Sequence, residues 1–226
     1  MYEMIPSSVK QTLRALRHKN YRLFFTGQSI SLIGTWMQSV ALGWLVYRLT
    51  DSAFLLGLVG FSSQIPTFVL ATFAGVIADR YNKHKILIAT QTLAMIQAFI
   101  LAFLTLNSTI QIWQILLLSL FSGLINAFDM PTRQSFVIDM VDDRNDLPNA
   151  IALNSSVFNA ARLIGPTIAG FLIAALGEGF CFLINALSFL TVIAALLMMD
   201  IPAKVNNQKN EKVLEGVKEG LKKRRP

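Results

Sequence analysis

The chain has 226 residues, 54% of them hydrophobic and only 15% charged, with a formal net charge of +7. That is more apolar surface than one water-soluble core of this length absorbs, so the chain reads as an all-α polytopic membrane protein with the lipid bilayer as its solvent. The positive charge does not point to nucleic acid, because the bases sit beside the apolar runs, where they orient membrane spans.

Residues 1–22 carry Lys10, Arg14, Arg17, Lys19 and Arg22, with Leu13, Leu16 and Leu23 at helical spacing, a pattern suited to a short amphipathic segment on an anionic leaflet. This stretch is too polar for a cleavable signal peptide. Residues 23–47 are uncharged and long enough to cross about 30 Å of hydrocarbon. Arg48, Thr50 and Asp51 form an outer turn, and 52–78 returns inward, with Pro66 and the glycines at 57, 60 and 75 permitting kinks and close contacts. The run 86–128 is too long for one helix, and Asn107-Ser108-Thr109 divides it into spans of 86–106 and 110–128. A charged connection, 129–146, contains Pro131, Arg133 and Arg144 and can begin as an extension of the fourth helix. Spans five and six cover 147–177 and 180–199, separated by Gly177-Glu178-Gly179. Within 200–226, Val213, Leu214, Val217 and Leu221 share one face, which predicts an interfacial helix. Of the 20 Lys and Arg, 18 fall in the segments this topology assigns to one side. The bias places both termini in the cytoplasm and requires an even number of spans, which six satisfies.

Polar side chains inside spans mark interhelical contacts or a hydrated path. The first span carries a stripe of Gln28, Ser31, Thr35, Gln38 and Ser39; the fourth carries Ser119, Ser122, Asn126, Asp129 and Arg133; the fifth carries Ser155, Asn159, Arg162 and Pro166. Packing alone accounts for serines, but buried amides without partners cost about 1–3 kcal/mol each. Arg162 lies at the middle of the fifth span. A guanidinium there costs about 2.5–3.5 kcal/mol or more, so it needs water or a carboxylate. Asp129 reaches a similar depth if the fourth helix continues to about Val141, and an Asp129–Arg162 pair is the natural expectation. Such a pair is either fixed glue between helices or part of substrate or proton coupling. Cys181 is alone in an apolar run and His18 and His84 are far apart, so neither a metal centre nor a thiol or histidine catalytic group is expected, and no cofactor is called for.

Between the second and third spans stands Gly75-Val-Ile-Ala-Asp79-Arg80-Tyr81-Asn82-Lys83-His84-Lys85. An acid at a helix C-terminus is electrostatically disfavoured, so Asp79 needs a partner such as Arg80, Lys83 or another helix's N-terminus. The stretch resembles the signature loop of the major facilitator superfamily, matched here by Gly75, Asp79, Arg80, Lys83 and Lys85. Asn82 replaces a usual glycine and tolerates the left-handed conformation of a tight turn. Arg162-Leu163-Ile164-Gly165-Pro166-Thr167-Ile168-Ala169-Gly170 resembles the fifth-helix motif of that superfamily's exporters, through Gly165, Pro166 and Gly170, with Ala169 for a glycine. Asn20-Tyr21-Arg22-Leu23-Phe24, Gly27-Gln28-Ser29-Ile30-Ser31, Asp129-Met130-Pro131-Thr132-Arg133-Gln134 and Leu147-Pro148-Asn149-Ala150 are similar to the bacterial branch that includes siderophore and multidrug exporters.

The resemblance implies the N-terminal six-helix bundle of a twelve-helix fold, built as 3+3 inverted repeats and sited in the bacterial cytoplasmic (inner) membrane. It implies proton-driven export of a small molecule, drug-like or siderophore-like, by alternating access against a second six-helix half. Gln28, Thr35, Gln38, Asn126, Asp129, Asn159 and Arg162 are then the candidate cavity and coupling residues. An uptake permease, a half-size chain that dimerises, a non-transporting scaffold and an intramembrane enzyme are the alternatives. The polar stripes argue against the scaffold, and the want of a convergent catalytic group argues against the enzyme.

Overall fold

The protein is described by a computed structural model covering residues 13–200, with Asp79 described in its backbone only. The predicted interfacial helix beyond Lys204 and the first twelve residues lie outside the described part. A 3₁₀ turn at Arg14–Arg17 precedes six helices, α1 (Lys19–Thr50), α2 (Ala53–Arg80), α3 (Lys83–Leu106), α4 (Ile112–Met140), α5 (Leu147–Leu176) and α6 (Glu178–Leu197). Each is long and apolar enough to cross a membrane. The described residues form an all-helical six-span bundle without strands.

Side-chain caps start α2, α3 and α4. Ser52 caps α2 by accepting the Leu55 N–H at 3.3 Å, and Gln111 and Gln114 cap α4 reciprocally. Asn82 behaves differently from expectation. It is extended (φ −65°, ψ 107°) and caps α3 by accepting the Lys85 N–H at 3.2 Å, so it serves the turn through its side chain and not through a left-handed backbone. α4 runs to Met140 and absorbs Asp129, Pro131 and Arg133, which the charge pattern had placed in a connection after Phe128. A charge in the sequence does not by itself end a helix.

The helices pack in an arc: α2 on α4, α4 on α3, α3 on α6, α6 on α1 and α1 on α5. Exchanging α1 with α4, α2 with α5 and α3 with α6 maps this order onto itself. Three helices per repeat is an odd number, so the second repeat starts from the opposite end and the two are inverted. α2 and α5, at the ends of the arc, are the least buried helices, and α6 is the most buried. The start of α1 and the segment after α6 share one end: Asn20 Nδ2 donates to the Asp200 carbonyl at 3.0 Å, and Asp200 N–H to Asn20 Oδ1 at 3.2 Å.

Ion pairs repeat the inversion. Arg48, near the end of α1, holds Glu178 at the start of α6 with both carboxylate oxygens, at 2.7 and 3.2 Å. Lys83, at the start of α3, lies 3.6 Å from Asp139 near the end of α4, at the opposite end of the bundle and with the charges reversed. In the first pair, the acid sits at a helix N-terminus and the base at a C-terminus, so both macrodipoles favour it; in the second, both oppose it.

The described part of the basic N-terminal segment, from Leu13 on, is tied to the α4–α5 connection, and the first twelve residues of the predicted amphipathic segment lie outside the described residues. Ala15 is buried, its N–H donates to Asn149 Oδ1 at 2.9 Å, and Arg14 Nε and Arg17 Nη2 each reach the buried Asp146 carboxylate at 2.7 Å. His18 Nε2 lies 2.9 Å from the same carboxylate. The acids of the α4–α5 connection supply counter-charges to these bases. Asp146→Asn should release this segment, because one wholly enclosed carboxylate serves three basic groups. Tryptic cleavage at Arg14 and Arg17, followed by mass spectrometry, is expected to accelerate; an unchanged rate would show that the clamp rests on apolar contacts.

Candidate functional site

Two apolar clusters fill the bundle. One, near the shared terminal end, includes Tyr21, Phe24, Leu87, Phe136, Met140 and Leu196; the other includes Met37, Leu45, Leu101, Ile115 and Phe182. Along α1 and α4, the buried polar side chains Gln28, Ser31, Ser119 and Asp129 fall between them in chain position. A polar layer between two apolar ones is held by its hydrogen bonds, since hydrocarbon supplies none.

Asp129 is 3% exposed, 11 residues before the end of α4, or about 16 Å along the axis. Thr90 Oγ1 and Gln91 Nε2, both on α3, donate to its Oδ1 at 2.7 Å each. Arg133, one turn along α4, donates to Oδ2. The expected Asp129–Arg162 pair is therefore not formed: α4 does extend far enough, but Arg133 at i+4 on the same helix takes the carboxylate first. Around this knot, Gln91 Oε1 and Arg133 Nε are buried without a protein partner among the described residues, an unpaired acceptor and an unpaired donor flanking one acid. Buried polar atoms in such a setting recruit water.

Gln38 belongs to a second network. Asn185 Nδ2 on α6 donates to Gln38 Oε1 at 2.7 Å, Gln38 Nε2 donates to Gln97 Oε1 at 3.2 Å, and Gln97 Nε2 donates to the Leu118 carbonyl at 3.4 Å. Four helices are joined through three amides. Gln28 is buried with its Oε1 unpartnered among the described residues.

Thr35, Asn126, Asn159 and Arg162 are exposed on the outside of the bundle. Thr35 and Asn159 donate back to the Ser31 and Ser155 carbonyls of their own helices, at 2.9 and 2.8 Å. Arg162 Cζ lies over the Trp36 ring of α1, 5.7 Å from its centroid, and Trp36 meets Phe158 edge to face at 5.6 Å. The candidate residues thus divide into an inward set, the buried Gln28 and Asp129 with the half-buried Gln38, and an exposed set.

The motif glycines divide as well. A Cβ on Gly165 would lie 2.6 Å from Trp36 Cβ and 2.9 Å from the Ile33 carbonyl, so α1 and α5 touch there, beside Pro166. Gly170 and Gly75 face open space. In the α2–α3 turn, Lys83 also donates to the Ser135 carbonyl at 3.4 Å, Arg80 is partnered, and Lys85 is exposed. The expectation that the Asp79 side chain has a partner falls outside what is described.

Thr90, Gln91, Gln97 and Asn185 were missed from the sequence, although all are polar groups inside uncharged spans. The cost that singled out Gln28 and Asn159 applies equally to the third and sixth spans.

A profile of the transmembrane secretion effector family matches residues 10–225. The chain is 31% identical over 185 residues to the staphyloferrin A transporter of Staphylococcus aureus, covering 81% of this chain and 46% of that one. It is 25% identical to the multidrug efflux pump Tap of Mycolicibacterium fortuitum, with 84% and 48% covered. It is also 25% identical to the enterobactin exporter EntS of Shigella flexneri, with 82% and 45% covered. The chain spans about half the length of each of these relatives. Match, helix count and inverted packing agree: the chain belongs to the transmembrane secretion effector family of major facilitator superfamily transporters, a family of membrane transporters and not of enzymes.

Proposed function

We propose that this six-helix bundle works with a second six-helix bundle as an exporter in the bacterial cytoplasmic membrane, exchanging a small molecule for protons by alternating access. The exposed set, Thr35, Asn126, Asn159 and Arg162, lines the transport path on the side that meets the second bundle. The observation that carries this reading is an exposed guanidinium midway along α5, 15 residues after its start and 14 before its end. A charge at that depth is tolerated where water reaches it. The names of the relatives, which include siderophore and multidrug exporters, favour outward movement. The crowding of bases at one end favours that end, with both termini, as cytoplasmic.

Asp129 is the proposed proton acceptor. Protonation turns one of its oxygens from acceptor to donor and removes the negative charge facing Arg133, so the Thr90–Gln91–Arg133 knot must rearrange. That gives a two-state element which a proton and the helix arrangement both bias. Everted membrane vesicles test the reading. With a respiratory proton gradient reported by a fluorescent weak base, addition of a transported siderophore or drug should release protons, and a protonophore should abolish its accumulation. Gradient-independent accumulation, or movement in the uptake direction, would overturn the proposal.

A further inference from the structure

Arg162 makes no ion pair and no hydrogen bond among the described residues; its contact is the Trp36 ring. Contact with an indole offsets only part of the cost of a guanidinium at mid-depth, so its N–H donors call for water or an anion. Asp129, the intramembrane acid at a comparable depth, is engaged by Arg133. The shape of the surroundings says more. The α1–α5 contact at Gly165 places the indole beside α5, and the indole in turn lies under the guanidinium and against Phe158, itself 45% exposed. With the guanidinium over the indole, its planar N–H edge is unpaired among the described residues, and such an edge matches a carboxylate through two parallel bonds. An unpaired edge suits an anion that arrives and leaves, while Phe158 and Trp36 offer an apolar wall to the body attached to it.

We propose that Arg162, Trp36 and Phe158 form a recognition site for a small organic anion: a carboxylate carried on an aromatic or flat apolar body. This rests on the transporter reading only for placing the site in the transport path. The competing occupant of the Arg162 donor edge is an acid of the second bundle.

The test uses the protein in detergent with every tryptophan but Trp36 replaced by Phe, Trp44 and Trp113 of this chain among them, so that Trp36 is the sole reporter. 2-Naphthoate should quench Trp36 saturably, and the neutral 2-naphthamide should bind at least about tenfold more weakly, since it lacks the charge-assisted fork. Arg162→Gln should weaken naphthoate binding by about the same factor, and Arg162→Lys should fall between, keeping charge without the fork. Equal binding of naphthoate and naphthamide, an unchanged Arg162→Gln affinity, or no saturable quenching would each overturn the proposal. If Arg162→Gln instead lowers the melting temperature of the ligand-free protein and leaves naphthoate binding intact, a protein acid is the partner, and the proposal fails. Binding is read without transport, so naphthoate bound but never moved would count against the exporter reading and leave the site standing.

Discussion

Asp129→Asn is expected to abolish proton-driven transport while leaving the protein at normal levels in the membrane. Asparagine keeps the size of the side chain and can still accept from Thr90 and Gln91, which hold Oδ1 at 2.7 Å. What it removes is the charge facing Arg133 and the site a proton would occupy. A hydrogen bond to a charged group contributes about 1.5–3 kcal/mol, so a loss of coupling of at least about tenfold is expected. Downhill exchange of substrate across the same vesicles should survive, because it needs no net proton movement. Accumulation driven by the proton gradient at the parental rate in Asp129→Asn would remove this residue from the coupling mechanism. Arg133→Gln is expected to resemble it, since either change unties the same knot.

The second large effect is structural. A Cβ on Gly123 would lie 2.4 Å from the Ser63 carbonyl and 2.9 Å from the Pro66 ring, and Thr67 Oγ1 donates to the Gly123 carbonyl at 3.2 Å. Backbone cannot yield there as a flexible side chain would. α2 is the least buried helix and leans chiefly on α4, so this seam holds it in the bundle. Gly123→Leu is expected to push the two helices apart, costing about 1–3 kcal/mol or more, and to lower the melting temperature in detergent by several degrees. Gly170→Ala is the contrast: a Cβ there meets nothing within 4 Å, and an alanine suits a helix better than glycine by about 1 kcal/mol. It should melt no lower than the parent. Parental melting of Gly123→Leu would show that α2 is held by its loops and by lipid.

The paired seams explain why such glycines matter. Pro66 of α2 meets Gly123 of α4, and Gly165 of α5, beside Pro166, meets Trp36 of α1. The repeat exchange maps α2–α4 onto α5–α1, so both seams occupy equivalent places in the inverted halves. Sequence similarity between the halves is weak, and the equivalence shows in which helices touch, not in which residues align.

Six apolar helices, each long enough to cross a membrane, and the bases gathered between them were legible in the sequence alone. Charge is excluded from hydrocarbon whatever the packing, and bare intervals between charges are visible without coordinates. The intramembrane Asp129 and Arg162 were legible for the same reason, as were the amides Gln28 and Gln38. Which of these groups meet was decided by the tertiary structure. Asp129 finds Arg133 on its own helix and Thr90 and Gln91 on α3, and Arg162 faces outward onto Trp36. Depth along a helix follows from counting residues, but rotation about its axis depends on how its neighbours pack, and six apolar faces in oil carry little amphipathic signal to set that rotation in advance.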